Sequence, residues 1–435
     1  MVGLGRSGEA AAALLVRRGW NVIAVDAHPV AAPGLEALGV DVRAPCTDVV
    51  ADVDLELVVK SPGVPAEVVQ IAAARAAGVE IIGEIELAAR ELGNPIIGIT
   101  GTNGKTTTTE LIAHLLRAAG GNAIACGNQG LPLTSLVDVV APETWLAVEC
   151  SSFQLEDVTQ FHPCAAVVLN LTPDHMDRHG SMGAYRTAKL RIFAAMDADD
   201  LAIAPEGWAI PGAARPRVLR DGGRRGEVDV AWSDGGLHVD CVGWIADWEE
   251  IPLRGRHNRE NVMAAAAIVA HVADLSAAQI AEGLRSFAGV EHRLEVVGTV
   301  DGVTYVNDSK ATNADAARAA LDAYPRGVRL IAGGKAKGAS FAPLADAARA
   351  GVLCVYLIGA AAKEIGEAMQ VAGVPTRDVH TLAGALAAAS ADARPGEVVL
   401  LAPGCASFDQ FANFEERGDR FHALVDALPG HHATP

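Results

Sequence analysis

Lys105 and Thr106 close the run Gly98-Ile99-Thr100-Gly101-Thr102-Asn103-Gly104-Lys105-Thr106-Thr107, whose chemistry is that of phosphate binding. Gly101 and Gly104 carry no side chain, so backbone N–H groups can close on phosphate oxygens at a helix start, where aligned peptide dipoles favour an anion. Lys105 adds a point charge, and the Thr106 hydroxyl can reach Mg²⁺. The run departs from the strict G-x-x-x-x-G-K-[ST] pattern, because Ile99 holds the first glycine position and Gly98 falls one residue early. An ordinary Gly-rich turn is the plain alternative. Strand, turn, Gly-Lys-Thr and helix all agree on a nucleoside triphosphate.

Other residues of the right types follow. Glu149 stands directly before Cys150-Ser151-Ser152, and Asp174-His175-Met176-Asp177-Arg178-His179 gathers acids and imidazoles in one stretch. The second can equally be a solvated turn. With Thr106, Glu149 makes an oxygen set suited to Mg²⁺, which takes carboxylates, water and substrate phosphate. Further on, Asn307-Asp308-Ser309-Lys310-Ala311-Thr312-Asn313, Gly333-Gly334-Lys335-Ala336-Lys337-Gly338 and Ala402-Pro403-Gly404-Cys405-Ala406-Ser407 mix Lys, Ser, Thr and Gly at three strand ends. Each alone is unremarkable, and Asn313 or Thr312 reads as a helix N-cap. Together they make a small anion site. Finally, Gly3-Leu4-Gly5-Arg6-Ser7-Gly8 is a full G-x-G-x-x-G, followed by an Ala-rich helix and an apolar strand that ends in Asp26. That is the order of a dinucleotide fingerprint, which by itself is weak.

Alternating strands and helices must hold these groups. Pro95 to Ile99 reads as a buried parallel strand and Thr106 to Ala119 as a helix. Strands follow at Asn122 to Cys126, Thr144 to Glu149 and Ala165 to Leu169, each ending in polar residues, and ligands bind at the carboxyl ends of such strands. Ala184 to Met196 reads as a helix carrying Tyr185, Arg186, Lys189 and Arg191, and residues 205–255 as antiparallel strands. Gly93-Asn94-Pro95 breaks the chain, and past Gly289 the pattern restarts with Val303 to Val306, Val328 to Ala332, Val352 to Ile358 and Val398 to Ala402. The expected architecture is α/β with three domains, 1–92, 93–289 and 290–435, the middle one combining a parallel sheet with a small antiparallel one. Only Met1 and Val2 precede the Gly3 turn where a whole strand belongs, so either translation starts upstream or the first strand is a stub.

The totals narrow the function. A net charge of −18 repels nucleic acid as a whole, so anions must be held by local cations, helix N-termini and metal ions. No apolar run is long enough for a membrane span and no secretory signal opens the chain, which makes a cytoplasmic protein without membrane insertion the expectation. Seven cysteines, Cys46, Cys126, Cys150, Cys164, Cys241, Cys354 and Cys405, are scattered without a C-x-x-C pair. They read as reduced core residues, not as a disulfide framework or a zinc site.

Thr100 to Thr106, Glu149 to Leu155 (E-C-S-S-F-Q-L), Asp174 to His179, Tyr185 to Arg191, His257 to Asn261, His292-Arg293, Asn307 to Asn313 and Pro403 to Phe414 together resemble the Mur ligases of peptidoglycan synthesis. S-S-F-Q-L and N-D-S-K-A-T-N are much more specific than the phosphate loop, and within the family the whole set resembles the glutamate-adding branch. The resemblance implies a Rossmann-like N-terminal domain for a UDP-sugar, a central P-loop ATPase domain and a Rossmann-like C-terminal domain that brings the amino acid. It implies ATP, two Mg²⁺ ions, the small-molecule substrates UDP-N-acetylmuramoyl-L-alanine and D-glutamate, a monomer, and an acyl-phosphate route. Position by position, it implies ATP contacts from Gly101, Thr102, Asn103, Gly104, Lys105, Thr106, Thr107, Asn261, Arg293 and Asp308. It puts one metal on Thr106 and Glu149 and a second on His175 and a carbamylated Lys189, with Lys105, His175 and Lys189 as the catalytic set. Gly5, Arg6, Ser7, Asp26, Ser61 and Asn128 fall at UDP-sugar contacts, and Thr312, Lys337, Ser407 and Phe414 at D-glutamate contacts. Ala27-His28 stands where the best-known members carry Thr-Arg.

Three rivals remain at this level: another Mur-type or folylpolyglutamate-type amino-acid ligase, a nucleotide switch without ligase chemistry, and an NAD-dependent dehydrogenase built on Gly3 to Gly8. The dehydrogenase leaves Lys105 without a role.

Overall fold

A computed structural model of the chain describes residues 1–48, 54–205, 207–210, 215–221, 230–233, 235–253, 255–430 and 432–433. Contacts divide it into two compact units, the first made of Met1–Leu171, Arg178–Glu250 and Asn261–Ser286, the second of Thr172–Asp177, Ile251–Glu260 and Phe287–Pro435. Among the described residues no helix is long and apolar enough to cross a membrane.

The first unit opens with two parallel ribbons, β1 (Ile23–Val25) with β2 (Asp41–Arg43), and β3 (Leu57–Lys60) with β4 (Glu80–Gly83). Among the described residues Val2 bridges them, pairing with Val25 on one side and Lys60 on the other. Around the ribbons lie α1 (Arg6–Arg17), α2 (Pro33–Ala37), α3 (Val69–Ala76) and α4 (Glu84–Ala89).

Strands β5 (Ile96–Thr100), β6 (Ala123–Gly127), β7 (Trp145–Glu149), β8 (Ala165–Val168), β9 (Leu201–Ala204), β10 (Arg215–Asp221), β11 (Val230–Ser233), β12 (Gly236–Val239) and β13 (Gly243–Asp247) form one sheet in the order 13-12-11-10-9-8-5-7-6. Strand β5, between β8 and β7, is buried along its whole length, as two-sided burial of a parallel strand demands of the sequence Ile-Ile-Gly-Ile-Thr. α5 (Lys105–Ala118), α6 (Ser152–Leu155), α7 (Met176–His179), α8 (Met182–Leu190), α9 (Arg256–Val272) and α10 (Ala277–Ser286) follow along the chain.

Of the antiparallel strands expected over 205–255, β11, β12 and β13 pair that way, and β10 joins them to the parallel sheet. β9, β10 and β11 continue the parallel sheet, and only β11–β12 and β12–β13 are antiparallel. The reversals sit where Gly235 and Gly243 adopt φ of +86° and +85°, which lets the chain turn within a few residues. Residues 206, 211–214, 222–229, 234 and 254 of that stretch lie outside the described residues.

The second unit holds β14 (Glu295–Val300), β15 (Val303–Asn307), β16 (Val328–Gly333), β17 (Val352–Ile358), β18 (Thr376–His380), β19 (Val398–Leu401) and β20 (His432–Ala433) in the order 18-17-16-19-15-14-20. The five strands from β18 to β15 are parallel, and β14 and β20 add antiparallel edges. Helices α11 (Ala314–Ala323), α12 (Ala342–Ala348), α13 (Ala362–Ala372), α14 (Leu382–Asp392) and α15 (Phe414–Asp426) accompany them, and two apolar clusters separate on the two faces, one around Leu330 and Leu400, the other around Ile331 and Leu401. Consecutive residues of one strand pointing into different clusters is the pleat at work.

Candidate active site

In the first unit, Gly101 and Gly104 hold the loop between β5 and α5 with φ of +155° and +86°. A Cβ on Gly104 would stand 2.2 Å from the Asn261 side-chain oxygen, so the glycine is what lets Asn261 pack against the loop. Asn170, at the end of β8, closes the loop from the other side, accepting from the Asn103 amide (3.0 Å) and donating to the Asn103 carbonyl (3.1 Å). The Thr102 hydroxyl meets the Tyr185 hydroxyl at 3.3 Å. Lys105 Nζ folds back to donate to the carbonyls of Gly101 (3.1 Å) and Thr102 (2.9 Å).

Glu149 ends β7 beside Ile99 of β5 and Gly127 of β6, and is 2% exposed. Its carboxylate accepts from the Thr106 hydroxyl (2.6 Å) and the Asn128 side-chain amide (2.8 Å). Lys189, from α8, is 1% exposed, and its ammonium donates to the Gly101 carbonyl (2.7 Å) and lies 4.6 Å from the centre of the Tyr185 ring. Thr106, Glu149 and Lys189 are therefore gathered around the loop, while His175 belongs to the second unit. Asn128, expected among UDP-sugar contacts, is tied to Glu149 through its backbone amide as well (2.8 Å). Thr107 is buried in the first turn of α5.

At the Gly3 turn, a Cβ on Gly8 would lie 1.9 Å from the Gly3 carbonyl oxygen, which explains the last glycine of the fingerprint; Gly5, with open space around it, starts α1. Ser7 and Ser61 face each other at 3.3 Å between hydroxyls, and Arg6 begins the helix beside them. Asp26 accepts from the backbone amides of Leu4 (2.7 Å) and His28 (2.9 Å), so it fixes the turn.

In the second unit, Asp308 (1% exposed) follows β15 and accepts from the Leu294 amide at 3.3 Å, with an Arg293 nitrogen 3.6 Å away. Burial raises its pKa, and Arg293 opposes that. Asn313 caps α11, its side-chain oxygen 2.8 Å from the Ala316 amide, and its side-chain amide donates to Asp174 (3.0 Å), next to His175 with φ of +55°. The Lys335 amide donates to the Ala406 carbonyl (2.8 Å), which joins the loops bearing Lys337 and Ser407. Phe414 begins α15 under the Lys310 ammonium, 4.6 Å from its ring centre. Thr312 donates its amide to the Lys310 carbonyl at 2.8 Å.

Sequence reasoning missed Arg417. It is 1% exposed and donates to the Ser309 hydroxyl (3.0 Å), the Ser309 carbonyl (2.8 Å) and the Cys405 carbonyl (3.1 Å), which ties two of the three strand-end loops together. Burial pushes its pKa down to about 10, so it stays charged at neutral pH. A single arginine on an amphipathic helix gives no signal of this. Of the seven cysteines expected in the core, Cys126, Cys150 and Cys405 are buried, Cys46, Cys164 and Cys354 are half-buried and Cys241 is exposed; burial pushes Cys126 and Cys405 each up to about 12.

Family models match three consecutive segments: "Mur ligase MurD-like, N-terminal domain" over residues 1–83, "Mur ligase middle domain" over 99–269 and "Mur ligase, glutamate ligase domain" over 292–405. The chain is 44% identical to the UDP-N-acetylmuramoylalanine--D-glutamate ligase of Acidobacterium capsulatum, over 99% of this chain and 96% of that one. It is also 44% identical to the protein of the same name from Solibacter usitatus, over 98% and 97%. Among solved structures, the UDP-N-acetylmuramate-alanine ligase of Thermotoga maritima shares the fold with a TM-score of 0.61 at 19% identity, covering 98% of each chain. A pseudomurein peptide ligase type C from Methanothermus fervidus does so with 0.56 at 16% identity. With matched segments along its length and such relatives across nearly all of it, this chain belongs to the Mur ligase family.

Proposed function

We propose that the chain is an ATP-dependent, ADP-forming ligase that joins D-glutamate to UDP-N-acetylmuramoyl-L-alanine through an acyl phosphate, in peptidoglycan biosynthesis. The observation that carries this is the 44% identity, over essentially the whole chain, to proteins bearing the name of that ligase. In this reading residues 1–92 form a Rossmann-like UDP-sugar domain, 93–289 a P-loop ATPase domain and 290–435 a Rossmann-like domain for the amino acid. The protein works in the cytoplasm as a monomer on small molecules.

A carboxylate is a poor acyl donor until one of its oxygens becomes a leaving group. The substrate carboxylate attacks the γ-phosphorus of ATP and ADP leaves; the glutamate amine then attacks the acyl carbon, losing a proton, and phosphate departs. Phosphoryl transfer needs positioning and charge neutralisation more than covalent help. The loop amides of Gly101 to Gly104 and the Lys105 ammonium supply these, with Thr107, Asn261, Arg293 and Asp308 completing the ATP contacts. Lys105 leaves the Gly101 and Thr102 carbonyls, to which it donates, for the phosphates.

Glu149 and the Thr106 hydroxyl are the hard oxygen donors that Mg²⁺ prefers, and the buried carboxylate is met by neutral donors, which fits a cation. A bound Mg²⁺ would neutralise charge on the transferred phosphoryl group. His175 and Lys189, the latter as a carbamate, would hold a second ion. Gly5, Arg6, Ser7, Asp26, Ser61 and Asn128 are assigned to the UDP-sugar, and Thr312, Lys337, Ser407 and Phe414 to D-glutamate.

The test is phosphate release from ATP with UDP-N-acetylmuramoyl-L-alanine and a panel of amino acids. D-Glutamate alone should stimulate release. Stimulation by L-lysine or diaminopimelate instead, or release that needs no amino acid, overturns the proposal.

A further inference from the structure

The turn that carries Arg293 is held in a costly shape. His292 and Leu294, on either side of it, have φ of +59° and +47°, the left-handed region that a residue with a Cβ disfavours, so neighbouring bonds must impose it. Within the turn the Arg293 amide donates to the Val290 carbonyl (3.1 Å). At the end of β15 and just past it, the Asn307 side-chain amide donates to His292 Nδ1 (2.9 Å), Asp308 accepts from the Leu294 amide (3.3 Å) and the Lys310 amide donates to the His292 carbonyl (3.1 Å). A further anchor is Glu295, whose carboxylate accepts from the His292 amide (2.9 Å) and, at greater length, from Asn307 (3.3 Å).

Glu295 is itself held from α15. Its other oxygen accepts from His422 Nε2 at 2.9 Å, and because a carboxylate can only accept, the imidazole carries a proton on that nitrogen. On α15, Phe414, Arg417, Gly418 and His422 recur at the spacing of one helix face. Each meets the strand-end loops or the turn. The Phe414 carbonyl accepts from the Ser309 hydroxyl (2.8 Å), and Arg417 ties Ser309 to Cys405. A Cβ on Gly418 would stand 2.3 Å from His292 Nδ1, so the glycine lets the His292 ring lie against the helix. One face of α15 thus runs from Phe414, assigned to D-glutamate, to the pair that fixes the turn of Arg293.

We propose that His422 is a positioning residue: by donating to Glu295 it fixes the Val290 to Leu294 turn and with it the placement of Arg293 for ATP, a role that rests on Arg293 being an ATP contact. Three features favour this over plain packing. The His422 and Glu295 side chains are 34% and 26% exposed, so neither is a core element. The contact is directional, with a ring nitrogen at hydrogen-bond distance from the oxygen. The opposite oxygen of the same carboxylate meets the amide of His292, the residue next to Arg293, so no intervening side chain is needed to carry the effect. Without His422 one oxygen of Glu295 loses its partner, the carboxylate is free to swing off the His292 amide, and His292 and Leu294 can relax toward ordinary φ. That relaxation moves the Arg293 backbone between them and takes its guanidinium off Asp308, now 3.6 Å away.

The experiment compares the full wild-type chain with His422→Leu, His422→Gln, Glu295→Ala and the double variant His422→Leu/Glu295→Ala. The readouts are the ATP dissociation constant by titration calorimetry, and kcat with the KM values for ATP and D-glutamate from phosphate release; circular dichroism checks that each variant is folded. His422→Leu should weaken ATP binding roughly 5–10-fold and raise the ATP KM in step, with kcat and the D-glutamate KM within about twofold, the pattern of lost uniform binding. His422→Gln, whose amide nitrogen can reach the same carboxylate, should stay within about twofold of wild type. Glu295→Ala removes the acceptor and should weaken ATP at least as much as His422→Leu, and the double variant should be no weaker than Glu295→Ala, since one residue acts through the other. Equal ATP binding by wild type and His422→Leu overturns the proposal. So does a glutamine variant as weak as the leucine one, or effects at the two positions that simply add. A wild-type chain that binds no ATP overturns the reading of the site itself, and this role with it.

Discussion

Replacing Glu86 by glutamine removes one charge and changes almost no volume, yet it should cost about 3–5 kcal/mol of stability. Glu86 lies in α4 and is 0% exposed. Its carboxylate accepts from the amides of Thr159 (2.9 Å), Gln160 (3.0 Å to each oxygen) and Phe161 (3.0 Å), from the Thr159 hydroxyl (2.8 Å) and from Arg90 Nε (2.9 Å). Glutamine keeps one acceptor oxygen and turns an NH₂ toward donors, so at least two bonds to a charged acceptor are lost, at about 1.5–3 kcal/mol each. Burial would raise the Glu86 pKa, but the bonds from Thr159, Arg90 and Gln160 outweigh it and the net shift is downward. A lowered pKa means a contribution present above the unfolded value and lost as pH falls through the folded one. The difference between wild type and variant should thus be flat from neutral pH down to about 5 and shrink below about 4.5. Urea unfolding across that range, with hydrogen exchange at Thr159 to Phe161 to locate the change, is the assay. A loss under about 1 kcal/mol at pH 7, or a difference that grows on acidification, refutes the reasoning.

Glu84, two residues earlier, should behave in the opposite way. It is 1% exposed, one oxygen accepts from the Thr134 amide (2.7 Å) and hydroxyl (2.8 Å), and the other has no partner among the described residues. Burial raises its pKa, so Glu84→Gln should be neutral or stabilising at pH 8, and urea midpoints should show that advantage fading as the pH is lowered through the raised pKa. Gly104→Ala meets both the +86° φ and the Asn261 oxygen 2.2 Å away, so it should cost about 1–3 kcal/mol by urea unfolding and weaken ATP binding by titration calorimetry. Lys105→Ala should lower ATP turnover by roughly 10²–10³-fold in the phosphate-release assay, with circular dichroism and the melting midpoint close to wild type, since the side chain covers a loop and supports no core.

Much of this was legible in the chain itself. The β5–loop–α5 junction could be read because a two-sided apolar strand, two glycines and a Lys-Thr pair all specify the same local geometry. Asn313 could be read as a cap because capping is decided within three residues. Glu84 and Glu86 could not, since Thr134 and the Thr159–Phe161 amides lie some 50 to 75 positions away and nothing in I-E-L marks an acid as buried. Arg417 was hidden for the same reason. β18 went unread because an edge strand such as Thr-Arg-Asp-Val-His needs only one buried side, or none. The Asp174 to His179 run looked like one unit of chemistry, but a linear stretch does not reveal that its residues pack with different bodies.

The Lys189 ammonium that donates to the Gly101 carbonyl sets a condition on the carbamylation proposed for it. CO₂ reacts with the lone pair of a neutral amine, and a protonated nitrogen engaged with a carbonyl 2.7 Å away has no lone pair to offer. Carbamylation must first strip a proton and break a bond that helps shape the nucleotide loop, so the two events are coupled. An enzyme prepared without bicarbonate would carry that history into an assay as a lag, and the length of the lag would report on the loop as much as on the lysine.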